Sequence, residues 1–215
     1  MAFRQKKALL REKLVKRAVD EIVEWAKSNR AASRILMSLL FDRDKVICFR
    51  ASEALGKVAA MEADKDLEPV RDLLRRLFWM MNDESGNTCW YAPEAIGEIL
   101  YNVPILCKEF CGLLKPFLAE EPFEKGTRIA VSRITCANRE IFGDVRVKLL
   151  QSLDNCDSNI RGASLIALGA LGGELPHDEI MRLVEDQSNL DIYDYASGEI
   201  YITTVGNIAS KLLEK

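Results

Sequence analysis

Histidine is almost absent from this chain, and no apolar run approaches the roughly 20 residues needed to span a bilayer. The single histidine, His177, follows Pro176 and stands beside Asp178 and Glu179, which is the composition of an exposed, acidic helix start. No feature of the sequence orients a cysteine toward it, so a Cys–His nucleophile is not expected. Six cysteines (Cys48, Cys89, Cys107, Cys111, Cys136 and Cys156) are scattered through predicted helices and read as reduced, buried small hydrophobes. Cys107 and Cys111 are four apart and could share a metal, but no second pair at ligand spacing exists, which argues against zinc. Prolines number only 6, against 48% apolar and 29% charged residues, so the composition is globular rather than disordered. The leading end lacks the uninterrupted hydrophobic core of a signal peptide, and a cytoplasmic setting is expected.

The net charge of −3 conceals an asymmetry. Residues 1–34 carry ten Lys or Arg against four Asp or Glu, leaving twenty against twenty-nine in the remainder. An acidic body disfavours nucleic-acid binding, because neutralising phosphates requires Lys and Arg along the contact face. Carboxylates such as Glu120 with Glu121, and Asp64 with Asp66, fall in predicted turns, where solvated charge is the expectation.

What the chain does contain is a repeated phrase: a small residue, three mixed positions, an aliphatic residue and a glycine. It reads RASEALG from Arg50 to Gly56, YAPEAIG from Tyr91 to Gly97 and ASLIALG from Ala163 to Gly169, with a degraded copy, IAVSRIT, from Ile129 to Thr135 and a poorer one near the C-terminus. From Gly56 through Gly97 and Thr135 to Gly169 the spacings are 41, 38 and 34 residues, the range of stacked helix pairs. Ala51, Ala92, Ala130 and Ser164 lie five before the anchor, and Ala54, Ala95 and Ala167 lie two before it. Small side chains on one stripe let helices approach closely, and Leu55, Ile96, Ile134 and Leu168 then fill the layer between repeats. The glycines sit inside helical patterns, so they read as packing devices, not as a phosphate cradle.

Around the repeats, Ala2 to Asn29 has apolar residues near a 3.6 period and predicts one long or two shorter basic amphipathic helices. They cap the stack, or bind a membrane surface or anionic partner, or belong to a targeting peptide. Helices are predicted over Arg34–Phe41, through RASEALG behind cap candidates Asp42 and Asp44, and over Leu67–Met81. An NDESGN turn follows from Asn82 to Asn87, then a helix through CWYAPEAIGEIL. Further helices are predicted over Ile105–Leu118, from Gly126 and Thr127 onward, over Val145–Leu153, and through ASLIALG behind Asp157 and Ser158. In LDIYDYASGEIYI the period changes to two around a turn, which favours a β-hairpin over a fifth inner helix. Thr203 or Thr204 then caps a closing helix, VGNIASKLLEK.

The phrases RASEALG, YAPEAIG and NIRGASLIALGALG resemble HEAT repeats, specifically the short HEAT-like repeats of phycobilin lyase subunits, over about residues 30–175. The copy from Asn159 to Gly172 keeps an arginine, Arg161, eight before its glycine, whereas Cys48 and Cys89 take that place earlier. The resemblance implies an all-α, right-handed α-solenoid of about five helical pairs with a small C-terminal β-hairpin, in a single domain over 1–215. Residues 1–29 form its N-terminal cap, 30–175 the repeats and 176–215 the C-terminal cap. It carries no catalytic residues, and no enzyme activity, cofactor or metal is expected.

In such repeats the inner helices line a concave binding surface. Seven before the anchor stand Phe49, Trp90, Arg128 and Gly162; three before it stand Glu53, Glu94, Ser132 and Ile166. Trp90, Glu94, Glu98 and Tyr101 fall one helix turn apart and make the strongest single patch. The partner-binding expectation is therefore Phe49, Glu53, Trp90, Glu94, Glu98, Tyr101, Arg128 and Ser132, contacting a protein or peptide; the oligomeric state is open. Equally, Phe49 and Trp90 could pack against the next repeat. The leading functional reading is a non-enzymatic interaction scaffold. The alternatives are an accessory factor for cofactor attachment, as in the lyases, and a DNA binder like the HEAT-built alkylation-repair glycosylases, for which the acidic body is unsuited.

Overall fold

Three helices start where the sequence supplies a side-chain acceptor for their first free N–H groups. Asp44 accepts from the Val46 amide at 2.9 Å, Asp157 from the Asn159 amide at 2.8 Å, and Thr204 from the Asn207 amide at 3.1 Å. The computed structural model describes residues 2–82, 86–137 and 139–214. Its helices are α1 (Phe3–Val15), α2 (Val19–Ala26), α3 (Ala32–Leu39), α4 (Lys45–Ala63), α5 (Glu68–Trp79), α6 (Ala92–Asn102), α7 (Cys107–Leu114), α8 (Glu124–Ala137), α9 (Arg146–Gln151), α10 (Ser158–Leu171), α11 (His177–Leu183) and α12 (Val205–Leu213). Strands β1 (Asn189–Asp194) and β2 (Glu199–Thr204) precede α12. The chain forms two compact units, Met1–Phe110 and Cys111–Lys215. The expected turn over Asn82–Asn87 lies partly outside the described residues.

In the first unit α4 is the central member, packed against α2, α3, α5 and α6. It is buried nearly all round, from Ile47 to Ala59, as a helix enclosed by others must be. Gly56 explains the close approach of α4 to α6: a Cβ there would lie 2.6 Å from the Glu98 carbonyl oxygen and 2.7 Å from Asn102 Nδ2. The glycine of the repeated phrase is thus a packing device, as its place in the helical pattern implies. Arg50, buried one residue before the phrase's alanine, donates to the carbonyls of Leu14 and Val15 at 2.9 and 2.8 Å. It satisfies the last turn of α1, where carbonyls have no intrahelical donor.

The N-terminal helices are fastened to this layer by Arg11, whose Nε and Nη2 reach the two Asp42 carboxylate oxygens at 2.8 and 3.0 Å. Asp42 also accepts from the Asp44 amide at 3.1 Å. The Arg11 hydrogen bond is the largest influence and holds the Asp42 carboxyl below its ordinary range, against the opposing effect of its partial burial. A carboxyl depressed in the folded state contributes stability above its unfolded pKa of about 3.9 and loses it as pH falls through the folded value. Asp42→Asn is accordingly expected to flatten the acid limb of the stability–pH curve below about pH 4, measured by urea unfolding at stepped pH.

In the second unit α8 and α10 form the principal pair, and α10 also receives α9, α12 and β1. The C-terminal segment is the antiparallel hairpin expected from its period of two, with Leu190 opposite Thr203 and Ile192 opposite Tyr201. Asp194 closes its turn by accepting from the amides of Ala196 and Ser197 at 2.9 and 3.1 Å, and Gly198 takes the positive φ of 73° that the turn requires. Gly162 seats the hairpin on α10: a Cβ there would collide with Leu190 Cδ1 and come within 3.3 Å of Ile208 Cδ1. No helix among the described residues is long and apolar enough to cross a membrane.

Several boundaries differ from the sequence reading. Trp90 lies in a turn, and α6 starts only at Ala92, with Pro93 in its first turn. The helix expected over Ile105–Leu118 is α7 flanked by 3-10 turns at Pro104–Leu106 and Lys115–Ala119, because Pro104 and Pro116 interrupt the α-helical ladder. Four cysteines are buried, but Cys136 and Cys156 are exposed, contrary to expectation. Burial pushes the Cys48 and Cys89 thiols up to about 12, which makes them poor nucleophiles.

Candidate functional site

The eight residues expected to meet a partner separate into three groups. Phe49, Glu94, Glu98, Arg128 and Ser132 are buried, Glu53 and Tyr101 are half-buried, and Trp90 is 66% exposed. Phe49 packs edge-on against Tyr91 at 5.4 Å between ring centroids, the interior role that the packing alternative gives it. Glu53 lies 3.7 Å from Arg17. Since Trp90 precedes α6, it does not continue the helical row of Glu94, Glu98 and Tyr101.

Arg128 is 2% exposed and serves the interior of the second unit. Its Nε donates to Ser164 Oγ at 2.9 Å, Nη1 to the carbonyls of Leu118 and Glu124 at 2.9 Å each, and Nη2 to Ser152 Oγ at 2.7 Å. Desolvation lowers its pKa from the ordinary arginine value, with Glu124 acting in the opposite direction. One guanidinium therefore ties α8 and α10 to the 3-10 turns Lys115–Ala119 and Ser152–Asp154.

Beside this buried face, α8 turns a second face into a cleft of about 460 Å³. Ile129, Ser132, Arg133 and Cys136 line it from α8 at helical spacing, and Ile166, Gly169 and Ala170 continue the wall along α10. Leu190, Ile192, Tyr195 and Tyr201 of the hairpin segment close one side, while Ile208, Lys211 and Leu212 of α12 close another. Gly169 leaves room for α12, since a Cβ there would stand 2.8 Å from Leu212 Cδ1. Ser132 and Ile166, the two neutral members of the predicted ladder, thus belong to one cleft. The sequence reading missed Ile129, Arg133, Cys136 and the tyrosines. The i, i+4, i+7 spacing of Ile129, Arg133 and Cys136 was a readable signal, but seating the hairpin and α12 over that face depends on Gly162 and Gly169.

The polar groups of the cleft are held in place. Lys125 Nζ donates to Asn159 Oδ1 at 2.8 Å and to the Asp191 carbonyl at 3.0 Å. The Arg133 guanidinium lies 4.0 Å from the centre of the Tyr195 ring, and Tyr195 meets Tyr193 edge-on at 5.1 Å. Cys136 Sγ donates to the Ser132 carbonyl at 3.3 Å. Apolar walls with a few fixed polar groups suit binding of an amphipathic ligand. Among the described residues no group of three or more His, Cys, Asp or Glu side chains is placed to hold a metal ion. His177 is exposed, with Nδ1 3.7 Å from Asp178 Oδ1 at the start of α11.

The paired helices, the 34- to 41-residue spacing and the close glycine contacts define a mostly helical fold of repeated helix pairs. No family model matches the sequence. A protein of Archaeoglobus fulgidus described only as uncharacterized is 27% identical over 161 residues, 74% of this chain and 84% of its own length. Two crystal structures of engineered proteins share the fold. The first has a TM-score of 0.57 at 17% identity over 100% of this chain and 91% of that one. The second has 0.50 at 18% identity over 86% and 47%. An archaeal HEAT-like repeats protein from Thermococcus onnurineus aligns at a TM-score of 0.43 and 17% identity over 97% and 79%.

Proposed function

We propose that this chain is a non-enzymatic binding module that takes a peptide or protein segment into the α8–α10 cleft beneath the hairpin. The observation that carries the reading is the cleft itself, where half-buried Ile129, Ile166 and Ile192 stand beside fixed polar groups. Apolar anchors surrounded by oriented donors are the usual composition of a recognition pocket. The reading moves the binding surface away from Glu94, Glu98 and Arg128, whose side chains serve the interior. A cytoplasmic setting and kinship with the short lyase-type repeats accompany it, the latter supported by Arg161 at its expected place. There Arg161 joins Asp186 at 2.6 Å and the Asn155 carbonyl at 2.7 Å.

Peptides selected from a random display library on the wild-type protein test the proposal. Their affinity is expected to fall about tenfold on Ile166→Asn, which removes an apolar anchor, and to be unchanged on Trp90→Ala. Equal affinity for wild type and Ile166→Asn, with loss on Trp90→Ala, would place recognition at the α6 turn instead.

A further inference from the structure

We propose that β2 is a dimerisation edge: its outer side pairs antiparallel with β2 of a second copy of this chain, joining the two hairpins into one continuous sheet. The hairpin is a two-stranded sheet and so has an edge on either side. The Val205 amide donates to the Ser188 carbonyl at 3.1 Å, and with the strand register this fixes which backbone groups point where. Leu190 with Thr203, Ile192 with Tyr201 and Asp194 with Glu199 are the hydrogen-bonded pairs. The alternate residues turn their N–H and C=O groups outward: Asn189, Asp191 and Tyr193 on β1, Ile200 and Ile202 on β2. The β1 edge is closed by its own chain, since Ser158 Oγ donates to the Asn189 carbonyl at 2.9 Å and Lys125 Nζ to the Asp191 carbonyl at 3.0 Å. Both acceptors are outward carbonyls of the alternation, as the pairing requires. On the β2 edge, no group among the described residues bonds the outward N–H and C=O of Ile200 or Ile202.

The side chains beside the open edge are apolar, with Ile202 69% and Tyr201 44% exposed. The strand, EIYITT, holds no lysine or proline of the kind that keeps a further strand away from an edge. A second copy is the occupant because this edge is complementary to itself. Outward groups pair only with outward groups, so a two-fold axis normal to the sheet falls at Tyr201 or at Ile202. Centred on Ile202, the pairing would need the Thr204 carbonyl, which as N-cap of α12 is given to the helix. Centred on Tyr201, Ile200 of each copy stands opposite Ile202 of the other and exchanges both hydrogen bonds with it, while Tyr201 meets its own counterpart. Such β-branched and aromatic cross-strand pairs stabilise a sheet. Charge fits as well, since Glu199, the one charged residue of β2, falls opposite Thr203 of the second copy and not opposite itself. With 6 residues per strand the contact is small beside the roughly 1,200–2,000 Å² of standard interfaces, so a Kd of about 10–100 µM is expected.

Sedimentation velocity of the full chain from about 5 to 500 µM tests the dimer, and the mean mass is expected to rise with concentration over that range. Ile202→Lys sets a charge on the pairing edge. It is expected to weaken association at least about tenfold with no change in thermal midpoint, because the side chain is exposed. Register is read separately in a Cys136→Ser, Cys156→Ser background, which removes the exposed thiols. There Tyr201→Cys is expected to form an intermolecular disulfide under mild oxidation, since facing residues of a non-hydrogen-bonded pair have Cα atoms about 4.5 Å apart, within disulfide reach. Thr203→Cys, which faces position 199 of the second copy, is expected to form none. A chain that stays monomeric throughout, or a dimer that Ile202→Lys leaves intact, overturns the proposal; the first result would leave the β2 edge to a strand of another protein.

Discussion

Arg128→Ala is expected to lower the stability of the second unit by about 3–5 kcal/mol, the upper range for a single substitution. The guanidinium makes four hydrogen bonds inside that unit, two to serine hydroxyls and two to backbone carbonyls. Hydrogen bonds from a charged donor contribute about 1.5–3 kcal/mol each, and leaving the Leu118 carbonyl without its donor adds a desolvation cost. Against this stands the cost of burying the charge, which is why the net falls below the simple sum. Arg128→Met keeps the aliphatic stem and is expected to recover part of the loss; Arg128→Lys is expected to recover little, because one ammonium cannot reach all four acceptors. Denaturant unfolding read by hydrogen exchange in α8 and α10 separates this unit's response. Unchanged stability with weakened partner binding would instead return Arg128 to the surface role that its ladder position implies.

Gly56→Ala is expected to destabilise the first unit by about 1–3 kcal/mol, even though alanine is the better helix former by about 1 kcal/mol. The added methyl would stand 2.6 Å from the Glu98 carbonyl oxygen, and this neighbour is backbone, so α4 and α6 must separate to admit it. Gly112→Ala is the matched control. It is exposed on α7 with nothing within 4 Å of the added carbon, and is expected to stabilise by about 0.5–1 kcal/mol. Opposite signs for two glycines in helices would show that the repeated phrase's glycine is selected by contact, not by backbone freedom.

The repeat was legible because its physical cause is local. Small residues at fixed offsets from Gly56 and Gly169 are what two helix backbones need in order to touch, and the caps at Asp44, Asp157 and Thr204 are one-residue signals. The hairpin was legible for the same reason, since β-favouring residues alternate around Asp194 and Gly198. The candidate site was legible only in part. Ladder positions say which helix face a residue occupies, not what covers that face, and two long-range facts decided the outcome. Arg128 is drawn inward by Ser152 and Ser164, 24 and 36 residues away, and Leu190 lands over Gly162. Trp90 was misplaced by a local effect, the delayed start of α6 at Ala92 with Pro93 in its first turn.

The cleft can be tested against the α6 turn in one measurement. A photo-crosslinking p-benzoylphenylalanine is installed in separate variants at Ile166, in the cleft, and at Trp90, in the exposed turn. Each is irradiated with a peptide selected from the display library on the wild-type protein, and the crosslinked residues are mapped by mass spectrometry. Binding in the cleft predicts peptide adducts from position 166 and none from position 90. Adducts from position 90 alone would contradict it.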